Sequence, residues 1–193
     1  MNDPILFYSA AAIAAAFLVY FGMTARRAWL HAKPRRGSAM TRFGENIRLR
    51  DLFRLAVLLE EEGRAFYLKL AERAAAPAVK ELCLELAGEE RVHYTSFMVK
   101  LRGWRPLPPN LLTWPAFIAK VKAEGLFADA PADGATEDEL AAFAIRQEQK
   151  TAEFYRMFEA AFPETWKRDS IGDLVTEELS HEARLRALYP HLP

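Results

Sequence analysis

Four stretches of the chain repeat apolar side chains every three or four positions, the spacing of a helix that buries one face. Leu52, Ala56, Glu60, Gly63, Tyr67 and Leu70 fall on one stripe and predict a helix over 47–74. Pro77 separates it from a second, over 78–102, with Leu82, Leu86, Phe97 and Leu101 inward. A third stripe passes through Leu140, Ala144, Glu148, Thr151, Tyr155 and Phe158 as far as Phe162. Thr136 and Glu139 have the spacing of a capping box at its start, and Pro163 ends it. The fourth, over 167–188, carries Ile171, Leu174, Glu178, His181, Leu185 and Leu188. Between the second and third lie "GWRPLPPNLLTWPAF", a short helix over 116–124 and the turn-rich "ADAPADGATEDEL". No stretch alternates as a strand does, so the expected fold is all-α: a four-helix bundle with one long crossover.

A different pattern precedes the bundle. "PILFYSAAAIAAAFLVYFGMTA", residues 4–25, is uncharged and almost wholly apolar. As a helix it would rise roughly 33 Å, enough for a bilayer core of ~30 Å. Arg26, Arg27, Lys33, Arg35, Arg36, Arg42, Arg48 and Arg50 follow, opposed by Glu45, while only Asp3 precedes it. A cleavable signal peptide would carry its basic residues ahead of the apolar run, and a core helix this long would show one polar face. The pattern therefore predicts an uncleaved single-pass anchor over 1–25, a basic juxtamembrane linker over 26–45 and the bundle over 46–193. By the positive-inside rule the N-terminus lies outside and the bundle in the cytoplasm, as at a bacterial inner membrane. The lipid bilayer is then one partner.

Sliding the chain against itself by 88 residues, without a gap, superposes the two halves of the bundle. Leu52 meets Leu140, Glu60 meets Glu148, Phe66-Tyr67 meets Phe154-Tyr155, Glu89-Glu90 meets Glu177-Glu178, and His93 meets His181. The matches gather at polar positions inside the apolar stripes. Each half offers one inward Glu (Glu60, Glu148) and one Glu-x-x-His pair (Glu90 with His93, Glu178 with His181). Residues three apart share a helix face, so each pair can point at one place. Four carboxylates at one level of a core would repel one another, each costing several kcal/mol unless neutralised. Two divalent cations balance them, and the two imidazoles complete a di-iron carboxylate ligand set. The alternative is a polar core without metal. Oxygen-rich ligation with two imidazoles suits iron or manganese rather than zinc.

Neighbouring residues have two readings each. Glu89 and Glu177 either accept the outer N–H of a ligating imidazole across the bundle or face solvent. Tyr67 and Tyr155, two turns beyond Glu60 and Glu148, are candidate catalytic residues that hydrogen-bond a ligand carboxylate or relay an electron, or else fill core space. Cys83 matches Ile171 in the repeat and reads as a small apolar side chain, and His31 and His191 fall in linker and tail. Lys plus Arg equals Asp plus Glu at 26 each, so no overall field points to nucleic acid. A single cysteine excludes an intramolecular disulfide and a CxxC site within the sequence.

"AVLLEEEGRAFYLKLAE", "LAGEERVHY", "AIRQEQKTAEFY" and "VTEELSHEARL" resemble the helices of rubrerythrin-like members of the ferritin-like di-iron superfamily, over about residues 46–188. The resemblance implies a ferritin-like bundle with two iron ions held by Glu60, Glu90, His93, Glu148, Glu178 and His181, reacting with O2 or peroxide. Two departures stand out. The paired Cys-x-x-Cys of a rubredoxin domain is missing, so electrons are expected from an external donor or from Fe(II) itself. Thr151 stands where these proteins tend to carry an extra Glu. Three functions follow: a membrane-anchored ferroxidase or peroxide reductase; a hydroxylase of a lipid-soluble substrate such as a quinone, entered along the apolar crossover (107–127, with Trp104 and Trp114); or an iron-binding sensor that recruits a membrane protein. A homodimer is also expected.

Overall fold

The computed structural model describes residues 12–24, 32–44, 46–101, 114–126, 131–132, 134–162, 171 and 173–193. Five helices form the body: α1 (Leu49–Arg73), α2 (Pro77–Leu101), α3 (Trp114–Ala123), α4 (Glu137–Ala161) and α5 (Leu174–Leu188). No strand occurs among the described residues. α1 packs chiefly on α2 and α4 on α5, and α1 against α4 joins the two pairs. This all-helical arrangement fits the four-helix bundle expected from the periodicity.

Local chemistry explains the helix ends. Pro77 occupies the first position of α2, where its missing N–H costs nothing. α4 begins at the expected capping box: the Glu139 amide donates to Thr136 Oγ1 at 3.3 Å, and the Thr136 amide donates to Glu139 Oε2 at 2.8 Å. At α1 the Arg48 amide donates to Asp51 Oδ2 at 3.0 Å. The short crossover helix starts two residues earlier than its periodicity suggested. The described part of the fourth helix starts at Leu174, and 167–170 of the expected helix lie outside the described residues.

Two apolar clusters fill the bundle. One gathers Phe53, Phe97, Phe154, Tyr155, Phe158 and Phe162 with the first half of α1. The other gathers Tyr67, Leu70, Cys83, Leu86, Leu140 and Leu185. The polar residues of the inward stripes lie between them.

Residues read as a linker do more than connect. A 3-10 helix, Ala39–Phe43, buries Met40 and Phe43, spaced one turn apart, and Phe43 meets Phe117 edge to face at 6.2 Å. The Arg35 amide donates to the Ala161 carbonyl at 2.8 Å, and the Leu49 amide donates to the Ala32 carbonyl at 2.9 Å. Basic composition with Pro and Gly marked this stretch as a juxtamembrane linker, but two well-spaced apolar side chains dock it on the core.

The expected transmembrane helix is not found: among the described residues no helix is long and apolar enough to cross a membrane. Residues 12–24 are helical, which gives roughly 20 Å against the ~30 Å of a bilayer core. Their apolar side chains are exposed, among them Ile13, Phe17, Leu18 and Phe21. The rest of the proposed anchor, residues 1–11 and 25, lies outside the described residues.

Truncating Phe43 tests the docking of the 32–44 segment. Phe43→Ala should lower unfolding stability by about 3 kcal/mol in urea titration, as for other buried aromatics. A change below ~0.5 kcal/mol, typical of exposed sites, would make the segment a free linker.

Candidate metal centre

The six inward polar residues converge at one level of the bundle. α1 brings Glu60, α2 brings Glu90 and His93, α4 brings Glu148, and α5 brings Glu178 and His181, all buried. They form two overlapping groups: Glu60, Glu90, His93 and Glu178, and Glu90, Glu148, Glu178 and His181. Within each group one ligand atom per residue lies within 4.8 Å of the others. Glu90 and Glu178 belong to both, whereas Glu60 and Glu148 each belong to one. Glu90 and Glu178 could therefore be shared between two cations, and Glu60 and Glu148 could each serve one.

The imidazoles aim Nδ1 inward. His93 Nδ1 lies 3.2 Å from Glu60 and 3.8 Å from Glu178, and His181 Nδ1 lies 3.1 Å from Glu90 and 3.4 Å from Glu148. The rings are nearly parallel, 6.0 Å apart. Their outer nitrogens reach across the bundle: His93 Nε2 is 2.7 Å from Glu177, and His181 Nε2 is 2.9 Å from Glu89. An acceptor on Nε2 holds the proton there and leaves Nδ1 as the lone pair a metal would take. Glu89 and Glu177 remain about half exposed, so both readings of these residues hold at once.

The tyrosines also cross between halves. Tyr67, on α1, donates to Glu148 on α4; Tyr155, on α4, donates to Glu60 on α1. Burial first, then the charge of the paired carboxylate, holds each phenol well above its ordinary pKa. Both remain neutral donors that fix one oxygen of each single-site carboxylate. The two tyrosines therefore touch the cluster and do not merely fill space.

Among the buried polar atoms without a hydrogen-bond partner are Glu148 Oε2, Glu178 Oε1 and His181 Nδ1. Buried polar groups are normally satisfied, and these three all face the cluster. Burial, reinforced by neighbouring carboxylates, pushes Glu90 and Glu178 well above the ordinary carboxylate range. For Glu60, burial is outweighed by the His93 hydrogen bond, and its pKa falls. Burial would lower both histidines, but the hydrogen bond and charge of Glu60 on His93, and the carboxylate of Glu148 close to His181, raise them. Four carboxylates, two inward imidazole nitrogens and orphaned oxygens fit a pair of divalent cations. Oxygen and imidazole donors suit iron and manganese alike. Cys83, raised to about 11 chiefly by burial, is packed in the second apolar cluster and lies in neither ligand group.

Two features escaped the sequence pattern. Arg184 donates to Glu89 at 2.9 and 3.0 Å and to Glu85 at 2.6 Å, anchoring the acceptor of His181. Its repeat counterpart is Ser96, so a search for matched positions passes over it. A cavity of about 570 Å³ also lies between α1, α4 and the end of α3, and reaches all four carboxylates. Neither histidine lines it. Lys122 and Leu126 bring the crossover to this cavity, while Trp104, residues 107–113, Phe127 and the Trp114 side chain lie outside the described residues.

A family model described as rubrerythrin matches residues 51–189, more than two thirds of the chain. No curated protein and no solved structure matches it.

Proton–metal competition sets the expected pH dependence. Glu90 and Glu178 hold protons above the ordinary carboxylate value of ~4.3, and His93 and His181 above ~6.5. A cation must displace these protons, so affinity should rise with pH from about 5 through neutrality, with proton release. Mn(II) titration by calorimetry in buffers of different ionisation enthalpy reads both quantities, and a flat profile without proton release contradicts this. Glu89→Gln and Glu177→Gln should each weaken binding about 10–100-fold in the same titration.

Proposed function

Since the chain belongs to the rubrerythrin family, we propose that it is a di-iron oxidoreductase that oxidises Fe(II) with O2 or reduces peroxide. The observation that carries this reading is the pair of overlapping four-residue groups sharing Glu90 and Glu178. A bound iron pair supplies two electrons to an oxidant at one place. The protein's own residues do the rest. Glu60 and Glu148 would each hold one of the two cations, and each has one oxygen fixed by a tyrosine from the other half. His93 and His181 are held in orientation by Glu177 and Glu89. Aromatic and aliphatic clusters flank the carboxylates on either side. Tyr67 and Tyr155 are the phenols nearest the reacting centre and are assigned as its catalytic residues, through hydrogen bonds to Glu148 and Glu60.

The reductant in this reading is Fe(II) or a separate donor. Placement at a membrane face is part of the same proposal. It is supported by the uncharged run over 4–25 and by the exposed apolar side chains around residues 12–24, which water alone leaves uncovered. The cavity above the carboxylates favours a second reading, in which the same centre oxygenates an organic substrate.

Fe(II) titrated anaerobically should bind at two per chain, and air or peroxide should then oxidise it, followed by absorbance and by which oxidant turns over faster. Glu90→Ala removes a carboxylate common to both groups and should abolish binding at both positions. Glu60→Ala should leave one. Equal stoichiometry in both variants, or no iron binding by the native chain, would overturn the assignment.

A further inference from the structure

The cavity between α1 and α4 is larger than a small oxidant requires. Its volume is about 570 Å³, whereas a water-sized molecule occupies ~30 Å³ and pockets of 300–1,000 Å³ hold organic ligands. The repeat accounts for the space. Gly63 and Thr151 occupy equivalent positions, one turn after Glu60 and Glu148, and both line the cavity. Two small side chains there leave the room above the carboxylates open. A Cβ on Gly63 would already lie 3.5 Å from the Glu90 carboxyl carbon.

Walls, floor and rim differ in chemistry. Leu59, Phe66, Leu126, Phe143 and Ala144 line it with carbon, and the Phe66 and Phe143 rings sit 4.9 Å apart. The floor is Glu60, Glu90, Glu148 and Glu178. Gln147 and Thr151 supply an amide and a hydroxyl on the α4 side. The exposed Glu62, Ala65 and Lys122 form the rim. A ligand that satisfies this arrangement has a flat apolar body for the rings and one oxygen for the cations that the floor holds. A fully apolar molecule would leave the floor unmatched, and a highly charged one would lose hydration against the walls.

We propose that this cavity is the binding site for an aromatic compound carrying a phenolic oxygen, its ring system against Phe66 and Phe143 and its oxygen toward the carboxylate floor. The proposal rests on the metal reading of that floor, and the test separates the two. 2-Naphthol serves as probe and naphthalene as its counterpart without oxygen, each titrated by calorimetry into Fe(II)-loaded chain under anaerobic conditions, with iron per chain measured on the same samples. 2-Naphthol should bind at one per chain, at least 10-fold more tightly than naphthalene. Thr151→Phe, which fills the cavity, and Phe66→Ala, which removes a wall from a half-buried position, should each weaken 2-naphthol at least 10-fold while two irons remain bound. Equal binding of the two probes would remove the role of the oxygen. Unchanged binding in both variants would place the ligand elsewhere, and no binding to a chain carrying two irons would overturn the site. A chain that takes up no iron but binds both probes alike, and loses both in Thr151→Phe, would refute the phenolic-oxygen proposal and the metal reading together while leaving an apolar pocket.

Discussion

Four carboxylates held at one level of a helical core dominate this structure's energetics. Glu60, Glu90, Glu148 and Glu178 lie between two apolar clusters, where charge is poorly solvated and mutual repulsion is weakly screened. Protons on Glu90, Glu178 and the imidazoles relieve part of this, but Glu148 Oε2 and Glu178 Oε1 stay without partners. A pair of cations held by these residues would neutralise the charge and give the orphaned atoms a partner. Metal binding would offset the rest of the cost of burying acid, which would couple fold stability to metal affinity.

The duplication serves the same end. Each half supplies what the other lacks: Tyr67 serves Glu148 and Tyr155 serves Glu60, while Glu177 serves His93 and Glu89 serves His181. These four crossed interactions tie the halves together through the site itself. A helix pair alone would keep its carboxylates but lose the donors and acceptors that orient them. The symmetry is broken at two places, where Arg184 braces Glu89 and where Gly63 faces Thr151 across the repeat. The first makes the two imidazoles inequivalent at their outer nitrogens. The second leaves a cavity on the side away from the histidines.

Apolar periodicity and the 88-residue repeat were enough to place four helices and all six inward polar residues. Both signals are local: a stripe is a property of one helix, and Glu-x-x-His spacing is a property of one turn. Membership in the rubrerythrin family agrees with that reading. The segment before the bundle was harder. Basic composition marked 26–45 as a linker, and nothing local says that Phe43 has a hydrophobic partner waiting in Phe117. The uncharged run over 4–25 met the length criterion for a span, yet the described helix within it covers only residues 12–24.

Residue identities and spacing, then, decided which side chains enter the core and that they must be neutralised, because burial and charge follow from helix periodicity alone. What each does there was decided in three dimensions. Whether a glutamate belongs to one group or both depends on the heights at which four helices meet, and helix height is not written in any single stripe. The crossing of tyrosines and outer carboxylates between halves, the brace from Arg184 and the space above Gly63 and Thr151 arise from contacts between residues far apart in the chain. Such contacts exist only once α1, α2, α4 and α5 have packed.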